Sequence, residues 1–205
     1  MEKRIYEPKE VISFRKTTEA FGGLSNMASG FGLFVNDIII PSSEHLYQAM
    51  RFPLFPDIQH EIISQENAML AKKVSNKYKD KYTRPDWEAI KMKVMRWVLE
   101  VKLAQNWDNF SKVLRETEER AIVEYSKEDK IWGASPVNGK LEGVNALGRL
   151  LMELRQKYIH SVQKIYCVEP LNVSAFLLYN RPIEVVCDSD KFADFVIKEG
   201  DFELA

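Results

Sequence analysis

Residues 85–106, PDWEAIKMKVMRWVLEVKLAQN, carry the clearest periodic pattern in the chain. Their apolar side chains recur at helical spacing, and basic side chains fill much of the remaining surface. The apolar positions are Ile90, Val94, Trp97, Val98, Val101 and Leu103, and the basic ones are Lys91, Lys93, Arg96 and Lys102. The spacing predicts one amphipathic helix of about 20 residues that starts after the TRPDW segment. The basic residues Arg84, Lys91, Lys93 and Arg96 either face a phosphate or form a solvated face, and we expect a solvated face for most of them.

Shorter elements are predicted on both sides of this helix. EVISFR at 10–15 and FGLFVNDIII at 31–40 are rich in β-branched and aromatic residues, and they indicate a small antiparallel sheet with a turn at Asn36-Asp37. A helix is predicted from Ser42 or Ser43 to Phe52, where prolines end it, and further helices are predicted within 57–78, 109–116 and 146–158. RAIVEYS at 120–126 indicates a strand, and the glycines of 127–144 indicate a loop.

The composition fits a folded domain without a strong charge. Of the 205 residues, 45% are hydrophobic and 11% are aromatic, which is enough for a sizeable core. The formal net charge is −1, so a nucleic acid would have to meet a local basic patch.

No run approaches the roughly 20 apolar residues of a membrane span, and the first residues lack a signal-peptide pattern. We therefore expect a cytoplasmic protein with no membrane partner.

The chain changes character after His160. QKIYCVEP at 163–170 and AFLLYNRPIEVVC at 175–187 indicate strands, and KFADFVIKEG at 191–200 indicates a short helix. These patterns predict a domain over residues 1–160, with a short β-rich C-terminal extension over 161–205 packed on it. Cys167 and Cys187 lie in this extension and lack the spacing of a disulfide framework or a zinc site, so we expect buried thiols.

Polar residues on the helix that starts near Ser42 form the first candidate site. Glu44 and Gln48 are four residues apart and share one helix face, which Arg51 continues. A carboxylate, an amide and a guanidinium in this order can bind sugar hydroxyls and a phosphate, and the carboxylate can orient a water. The alternative is a capping Glu44 on a solvated polar face. His45 is expected to be an ordinary half-buried histidine.

Two further clusters follow the long helix. In EDKIWGAS at 128–135, Trp132 can stack on a base or ribose, Asp129 can act as acid or base on a glycosidic nitrogen, and Gly133 lets the backbone approach a ligand. The alternative makes Trp132 a core residue and Asp129 an Asx-turn residue. In GVNALGRLLMELR at 143–155, Asn145 precedes a helix whose free N–H groups form a natural phosphate site, or it simply caps that helix.

A set of sequence blocks, in this order and spacing, resembles the NADAR family. The blocks are FGGLSNM at 21–27, SSEHLYQAM at 42–50, PDWEAIKMKVM at 85–95, KLAQN at 102–106, EDKIWGAS at 128–135 and GVNALGRLLMELR at 143–155. The resemblance extends over residues 14–160. Each block alone is weak, but the combination is specific.

The resemblance implies a compact, mainly helical α+β fold and an N-glycosidase that cleaves C1–N bonds of ribosides without a metal or a cofactor. The implied substrates are ribosylaminopyrimidine phosphates of riboflavin synthesis, or ADP-ribose attached to guanine. A nucleic acid would then be a partner only as an ADP-ribosylated substrate. Carried over position by position, Glu44 and Asp129 are the expected catalytic residues. The expected substrate-binding residues are Asn26, Gln48, Arg51, Trp87, Trp132, Gly133 and Asn145.

The chain departs from the family pattern in two places. Arg51 stands where the family usually has a lysine, and an arginine keeps the charge but cannot form an imine with a sugar aldehyde. The loop ASPVNGKLE at 134–142 and the tail from Ser161 lie outside the matched blocks. Arg51 also favours an alternative function, a non-catalytic module that binds ADP-ribose or another nucleotide. The sequence leaves open which of Glu44 and Asp129 donates the proton and which activates the water.

Overall fold

The computed structural model describes residues 2–191. Over these residues the chain separates into two compact units, each made of segments that are distant in sequence. The first unit combines the residues up to Ser29 with Asp108–Lys164, and the second combines Gly30–Trp107 with the residues from Ile165 onwards. The predicted helix at 191–200 lies, apart from Lys191, outside the described residues. The domain boundary at residue 160 stays a prediction.

Helices dominate the described chain, and the strands are short. The strands are β1 (Arg4–Tyr6), β2 (Val11–Phe14), β3 (Leu33–Val35), β4 (Ile38–Ile40), β5 (Ala121–Glu124), β6 (Ser135–Val137), β7 (Lys140–Gly143), β8 (Cys167–Val168), β9 (Leu177–Leu178), β10 (Arg181–Pro182) and β11 (Val186–Cys187). The α-helices are α1 (Ser43–Ala49), α2 (Pro56–Ile63), α3 (Ala68–Tyr82), α4 (Trp87–Gln105), α5 (Trp107–Glu116) and α6 (Ala146–Leu154). With 42% helix and 18% strand, the predicted mainly helical α+β fold is confirmed.

The second unit is organised around α4. Helix α1, strand β3 and the strands β8 and β11 all pack against α4, while α1, α2 and α3 pack on one another. The predicted long helix is therefore confirmed, and two of the basic residues expected on a solvated face are exposed, whereas Arg84 is buried. Lys93 and Arg96 are exposed, whereas Lys102 is only 1% exposed, because neighbours enclose the second half of α4.

The hairpin predicted at 31–40 is present. Strands β3 and β4 pair in antiparallel register around Asn36 and Asp37, whose φ angles of 51° and 63° are those of a tight hairpin turn. The expected pairing of this hairpin with residues 10–15 is wrong. Strand β2 pairs instead in parallel with β5, and both strands carry fully or almost fully buried apolar residues, as parallel pairs usually do.

The segment 127–144 is not only a loop, as its composition predicted. In the first unit β6 and β7 form an antiparallel hairpin, and β1 adds to its other side to give a three-stranded sheet in the order β1-β7-β6. Asn138-Gly139 makes the turn, with φ angles of 49° and 79°. An Asn-Gly pair is a strong hairpin signal, so the sequence did contain the information.

Asn145 connects the start of α6 to β5 in the first unit. It adopts the left-handed region with a φ of 51°, and its side chain is fully buried. Its Oδ1 accepts a hydrogen bond from the Glu124 backbone N–H at 3.1 Å, and its Nδ2 donates to the Ile122 carbonyl at 2.8 Å and to the Tyr6 hydroxyl at 3.2 Å. Gly148 allows this close approach, since a Cβ there would lie 2.2 Å from the Ile122 carbonyl oxygen.

The β-rich character predicted for 161–187 is present as two pairs of two-residue strands. Strand β9 pairs with β10, and β8 pairs with β11. Cys167 and Cys187 are directly opposite in the second pair and form a disulfide. The expectation of buried thiols is therefore wrong, because pairing of two strands brings together cysteines that their sequence spacing does not connect.

We expect Asn145→Ala to lower the free energy of unfolding by about 2 to 4 kcal/mol, because it leaves buried backbone groups of β5 without partners. Asn138→Ala is the matched control, since Asn138 also has a positive φ but is exposed. Both variants share the cost of alanine in the left-handed region, which is about 1 kcal/mol. Urea unfolding measures the difference, and equal losses in the two variants would mean that the buried hydrogen bonds contribute nothing.

Candidate active site

Helix α1 carries the first predicted cluster and is buried along its whole length. Ser42 occupies the N-cap position, but its hydroxyl lies 2.8 Å from Nδ1 of His45 and makes no capping bond to the backbone. The other ring nitrogen of His45 lies 3.1 Å from the Gln65 carbonyl oxygen, so this buried histidine holds α1 to a following loop. The alternative of a solvated polar face is wrong, because Glu44 and Gln48 are each only 6% exposed.

Glu44 and Gln48 form a buried pair. The Gln48 Nε2 donates a hydrogen bond to Oε1 of Glu44 at 2.8 Å, as their spacing on one helix face requires. Burial raises the pKa of the Glu44 carboxyl above its usual value, and the charge of Lys72 and the bond from Gln48 oppose this rise only partly. Glu44 therefore keeps a proton at higher pH than an exposed glutamate does.

Arg51 and Trp87 form a second contact in the same unit. The guanidinium carbon of Arg51 lies 5.5 Å from the centre of the Trp87 ring, and Trp87 also packs at 5.2 Å against Tyr47. Burial lowers the pKa of Arg51, opposed by Tyr47, Glu88 and Asp80. The buried Nε of Arg51 has no hydrogen-bond partner within residues 2–191. A guanidinium stacked on an aromatic ring is suited to bind an anion such as a phosphate.

Lys102 is a buried ionisable residue that is not among the residues predicted from the sequence to form a site. Its Nζ lies 4.5 Å from the centre of the Phe31 ring, and burial lowers its pKa to about 7. A lysine with such a pKa can release or accept a proton near neutral pH. Its position in the KLAQN block was the only sign in the sequence that Lys102 has a special environment. The amphipathic pattern of the helix did not reveal its burial, because lysine is usually exposed.

In the first unit, Asp129 and Trp132 lie in one tight turn. The Asp129 Oδ1 accepts hydrogen bonds from the backbone N–H groups of Ile131 and Trp132, both at 2.9 Å. The Asp129 N–H donates to Oγ of Ser126 at 2.9 Å. The Asx-turn alternative is therefore correct for Asp129, and Trp132 is half-buried. Within residues 2–191 Oδ2 of Asp129 accepts no hydrogen bond in this turn, so a catalytic role remains compatible with the geometry.

The predicted phosphate site at the start of α6 is wrong. The N–H groups of Ala146 and Leu147 donate to the carbonyls of Ile131 and Trp132, at 2.9 and 3.0 Å. The helix therefore uses these N–H groups to hold the 130–133 segment. Asn145 does not cap the helix with its side chain either, because that side chain binds β5.

The local structure also requires a glycine at position 133. Its carbonyl accepts the Asn145 N–H at 3.1 Å, and a Cβ at this position would lie 2.5 Å from the Glu124 carbonyl oxygen.

Asn26 is buried and follows a short 3-10 helix, Gly22–Leu24, in the same unit. The structure thus groups Glu44 with Gln48, Arg51 with Trp87, and Asp129, Trp132, Gly133 and Asn145 with one another. Apart from the phosphate site at the start of α6, the roles assigned to these residues stay predictions.

A separate cavity of about 450 Å³ lies in the second unit. None of the predicted site residues lines it. The lining residues are Pro53, Leu54, Phe55, Lys81, Tyr82, Thr83, Arg84, Pro85, Asp86, Ser174 and Ala175. The Arg84 guanidinium in its wall is already engaged by Asp86 and by two backbone carbonyls, so it does not offer a free cationic site.

The described part of the chain has no group of three or more histidine, cysteine, aspartate or glutamate side chains arranged to hold a metal ion. None of the helices within residues 2–191 combines the length and apolar character that a bilayer span requires. Buried ionisable groups beside polar and aromatic side chains are typical of an enzyme that moves protons at a polar substrate.

The chain belongs to the NADAR family. The model of the NADAR domain matches residues 13–158. The N-glycosidase YbiA of Shigella boydii serotype 4 is 35% identical over 147 residues, which are 72% of this chain and 88% of that protein. YbiA of Escherichia coli K12 is 33% identical over the same shares. The predicted family and the predicted N-glycosidase class are therefore confirmed.

Two further comparisons agree with this membership. The NMR structure of Escherichia coli YbiA matches with a TM-score of 0.63 and 30% identity, and the match covers 80% of this chain and 92% of that one. A riboflavin biosynthesis protein of Vibrio vulnificus is 32% identical over 73% of this chain, which corresponds to 39% of that longer protein.

We expect Lys102→Met to stabilise the second unit at pH 7, since methionine fills similar volume without a charge. The pKa of Lys102 is lower in the folded than in the unfolded chain, so wild-type stability rises with pH above about 7. The advantage of the variant should therefore shrink by about 2 kcal/mol between pH 7 and pH 9, at about 1.36 kcal/mol per pKa unit. Denaturant unfolding at both pH values tests this, with the exposed Lys93→Met on the same helix as control. A constant difference would show that Lys102 is not desolvated.

Proposed function

We propose that this N-glycosidase hydrolyses the C1–N bond of a small phosphoribosyl or ADP-ribosyl compound, with Glu44 as the proton donor. The observation that carries the proposal is the buried Glu44 carboxyl, oriented by Gln48 at 2.8 Å and holding its proton to higher pH than usual. Relatives named N-glycosidase and riboflavin biosynthesis protein support this substrate class. The substrate is a small molecule or, for an ADP-ribosylated guanine, a modified base.

The reaction requires a proton and a stabilising negative charge. Hydrolysis breaks the C1–N bond, places the water oxygen on C1 and leaves a proton on the departing nitrogen. As the bond breaks, positive charge develops at C1. A protonated Glu44 can donate to the nitrogen, and the carboxylate that remains can stabilise the positive C1. Gln48 keeps its hydrogen bond to Oε1 and so fixes the direction of the carboxyl.

Asp129 is the proposed group that activates the attacking water. Two backbone N–H groups hold its Oδ1, which fixes the carboxylate in one orientation, and Oδ2 is the oxygen that can accept a proton from water. We assign stacking on the base or ribose to Trp132, and polar contact with the substrate to Asn26. We assign no substrate contact to Asn145, because its Oδ1 and Nδ2 are engaged by β5 and Tyr6.

Arg51 is the proposed phosphate-binding residue. Its guanidinium is held on the Trp87 ring, with 5.5 Å between the guanidinium carbon and the ring centre. An arginine binds phosphate well through several parallel donors, so the replacement of the family lysine keeps anion binding. It does not keep an amine that could form an imine. The proposed route is therefore direct hydrolysis with acid and base carboxyl groups.

We expect Glu44→Gln to lower kcat at least about 100-fold, because general acid catalysis contributes factors of this size. The measurement is chromatographic release of free base and sugar phosphate from a panel of ribosylaminopyrimidine phosphates and ADP-ribosylated guanosine. Glu66→Gln is the control, as Glu66 is an exposed carboxylate of the same unit. Unchanged release by Glu44→Gln would remove Glu44 from the mechanism. Substrate binding without release by the wild type would favour the non-catalytic binding module.

We expect Arg51→Met to raise KM for a phosphorylated substrate by about 10- to 100-fold, because hydrogen bonds to charged groups contribute roughly 1.5–3 kcal/mol. The KM for the same riboside without its phosphate should change much less, since it lacks the group that Arg51 binds. Lys73→Met serves as the control for removal of an exposed cation nearby in sequence. An equal effect on both substrates would show that Arg51 acts through packing on Trp87 and does not bind the phosphate.

A further inference from the structure

The disulfide between Cys167 and Cys187 includes one residue that is exposed to solvent. The two residues are directly opposite in the β8–β11 pair, and they are the only cysteines of the chain. Cys167 is exposed and Cys187 is half-buried. A thiol can attack a disulfide only at a sulfur that it can reach, so Cys167 offers the point of attack.

The disulfide is coupled to α4 through Gln105. The Gln105 Nε2 donates hydrogen bonds to the Cys187 carbonyl at 3.0 Å and to the Phe34 carbonyl at 2.8 Å. Its Oε1 accepts the Phe34 N–H at 2.8 Å. One buried amide thus connects the disulfide-bonded strand, the end of α4 and strand β3. Lys102 lies three residues before Gln105 on the same helix.

Packing on α4 and hydrogen bonds accompany the disulfide in the β8–β11 pair. Each strand has two residues, and the Asp188 N–H donates to the Tyr166 carbonyl at 2.8 Å. The Cys187 N–H donates to Oδ2 of Asp190 at 2.6 Å, and Lys191 Nζ donates to Oδ1 of Asn106 at 2.6 Å. Such short strands have little stability of their own. The disulfide therefore adds a covalent constraint to a pair that otherwise rests on non-covalent contacts.

We propose that Cys167–Cys187 is a thiol-exchange site through which a small dithiol or thiol reductant controls the end of α4. In the oxidised form β11 stays on α4 and Gln105 keeps its bonds to β3. In the reduced form β8 and β11 separate, Gln105 loses an acceptor, and the environment of Lys102 loosens. The expected fall in N-glycosidase activity rests on the proposed function. The structural loosening does not.

The exchange is balanced with a dithiol as the two-electron reductant. One thiolate of the dithiol attacks Sγ of Cys167, and the Cys167–Cys187 bond breaks to release the Cys187 thiolate, which takes up a proton. The second thiolate of the dithiol then attacks the mixed disulfide and releases Cys167, which is protonated in turn. The products are two cysteine thiols and the oxidised, cyclic form of the dithiol.

The test uses the full chain with dithiothreitol as the reductant, without denaturant. Alkylation and mass spectrometry report reduction, and hydrogen exchange reports the Phe34 amide that Gln105 protects. We expect reduction in the folded state and an increase in Phe34 exchange of about tenfold. The Glu124 amide, bonded to Asn145 in the first unit, is the internal control and should not change. The Cys167→Ser/Cys187→Ser variant should show the fast Phe34 exchange with and without reductant.

Two outcomes would overturn the exchange site. One is a disulfide that resists reduction until the whole protein unfolds. The other is reduction without any change at Phe34. The activity measurement is read separately: we expect kcat/KM to fall at least about threefold on reduction, within the range of coupling between linked sites. Absence of activity in both redox forms would contradict the proposed function, while the Phe34 exchange would still decide the proposal about the disulfide.

Discussion

The enclosure of α4 is the constraint on which the second unit depends. A helix that is apolar at most positions of its second half must be covered on several sides, and here α1, β3, β8 and β11 provide that cover. The same enclosure keeps solvent from the polar side chains at the C-terminal end of α4. Gln105 is therefore bonded to β3 and β11, and Lys102 is held in a dry environment.

Desolvation also shifts the pKa values of two buried ionisable groups in the second unit. An exposed glutamate is ionised at neutral pH and an exposed lysine is protonated, so neither is well placed for proton transfer. Burial shifts both groups in opposite directions, raising the pKa of Glu44 and lowering that of Lys102. These shifts oppose folding, because each comes from the cost of burying a charge. The raised pKa of Glu44 suits the proton donation that we propose for it.

In the first unit, residues for which we propose contact with the substrate also hold the local structure together. The turn of Asp129, the carbonyls of Ile131 and Trp132 and the start of α6 hold one another through backbone hydrogen bonds. Asn145 secures the same region to β5 from the other side. This network restrains the loop, and it holds the Asp129 carboxylate and the Trp132 ring, for which we propose catalytic and stacking roles, in fixed positions. The phosphate site expected at α6 is absent because its N–H groups already serve this network.

The sequence by itself determined the local elements and the candidate residues. Periodicity gave α4, turn chemistry gave the β3–β4 hairpin, and the spacing of Glu44 and Gln48 placed them on one helix face. These signals act over a few residues, which is why they could be read from the sequence. Only the tertiary structure decided the partners: β2 with β5, Cys167 with Cys187, and Asn145 with β5. It also decided the burial of Glu44 and Lys102, because burial depends on neighbours from distant parts of the chain and no local pattern specifies them.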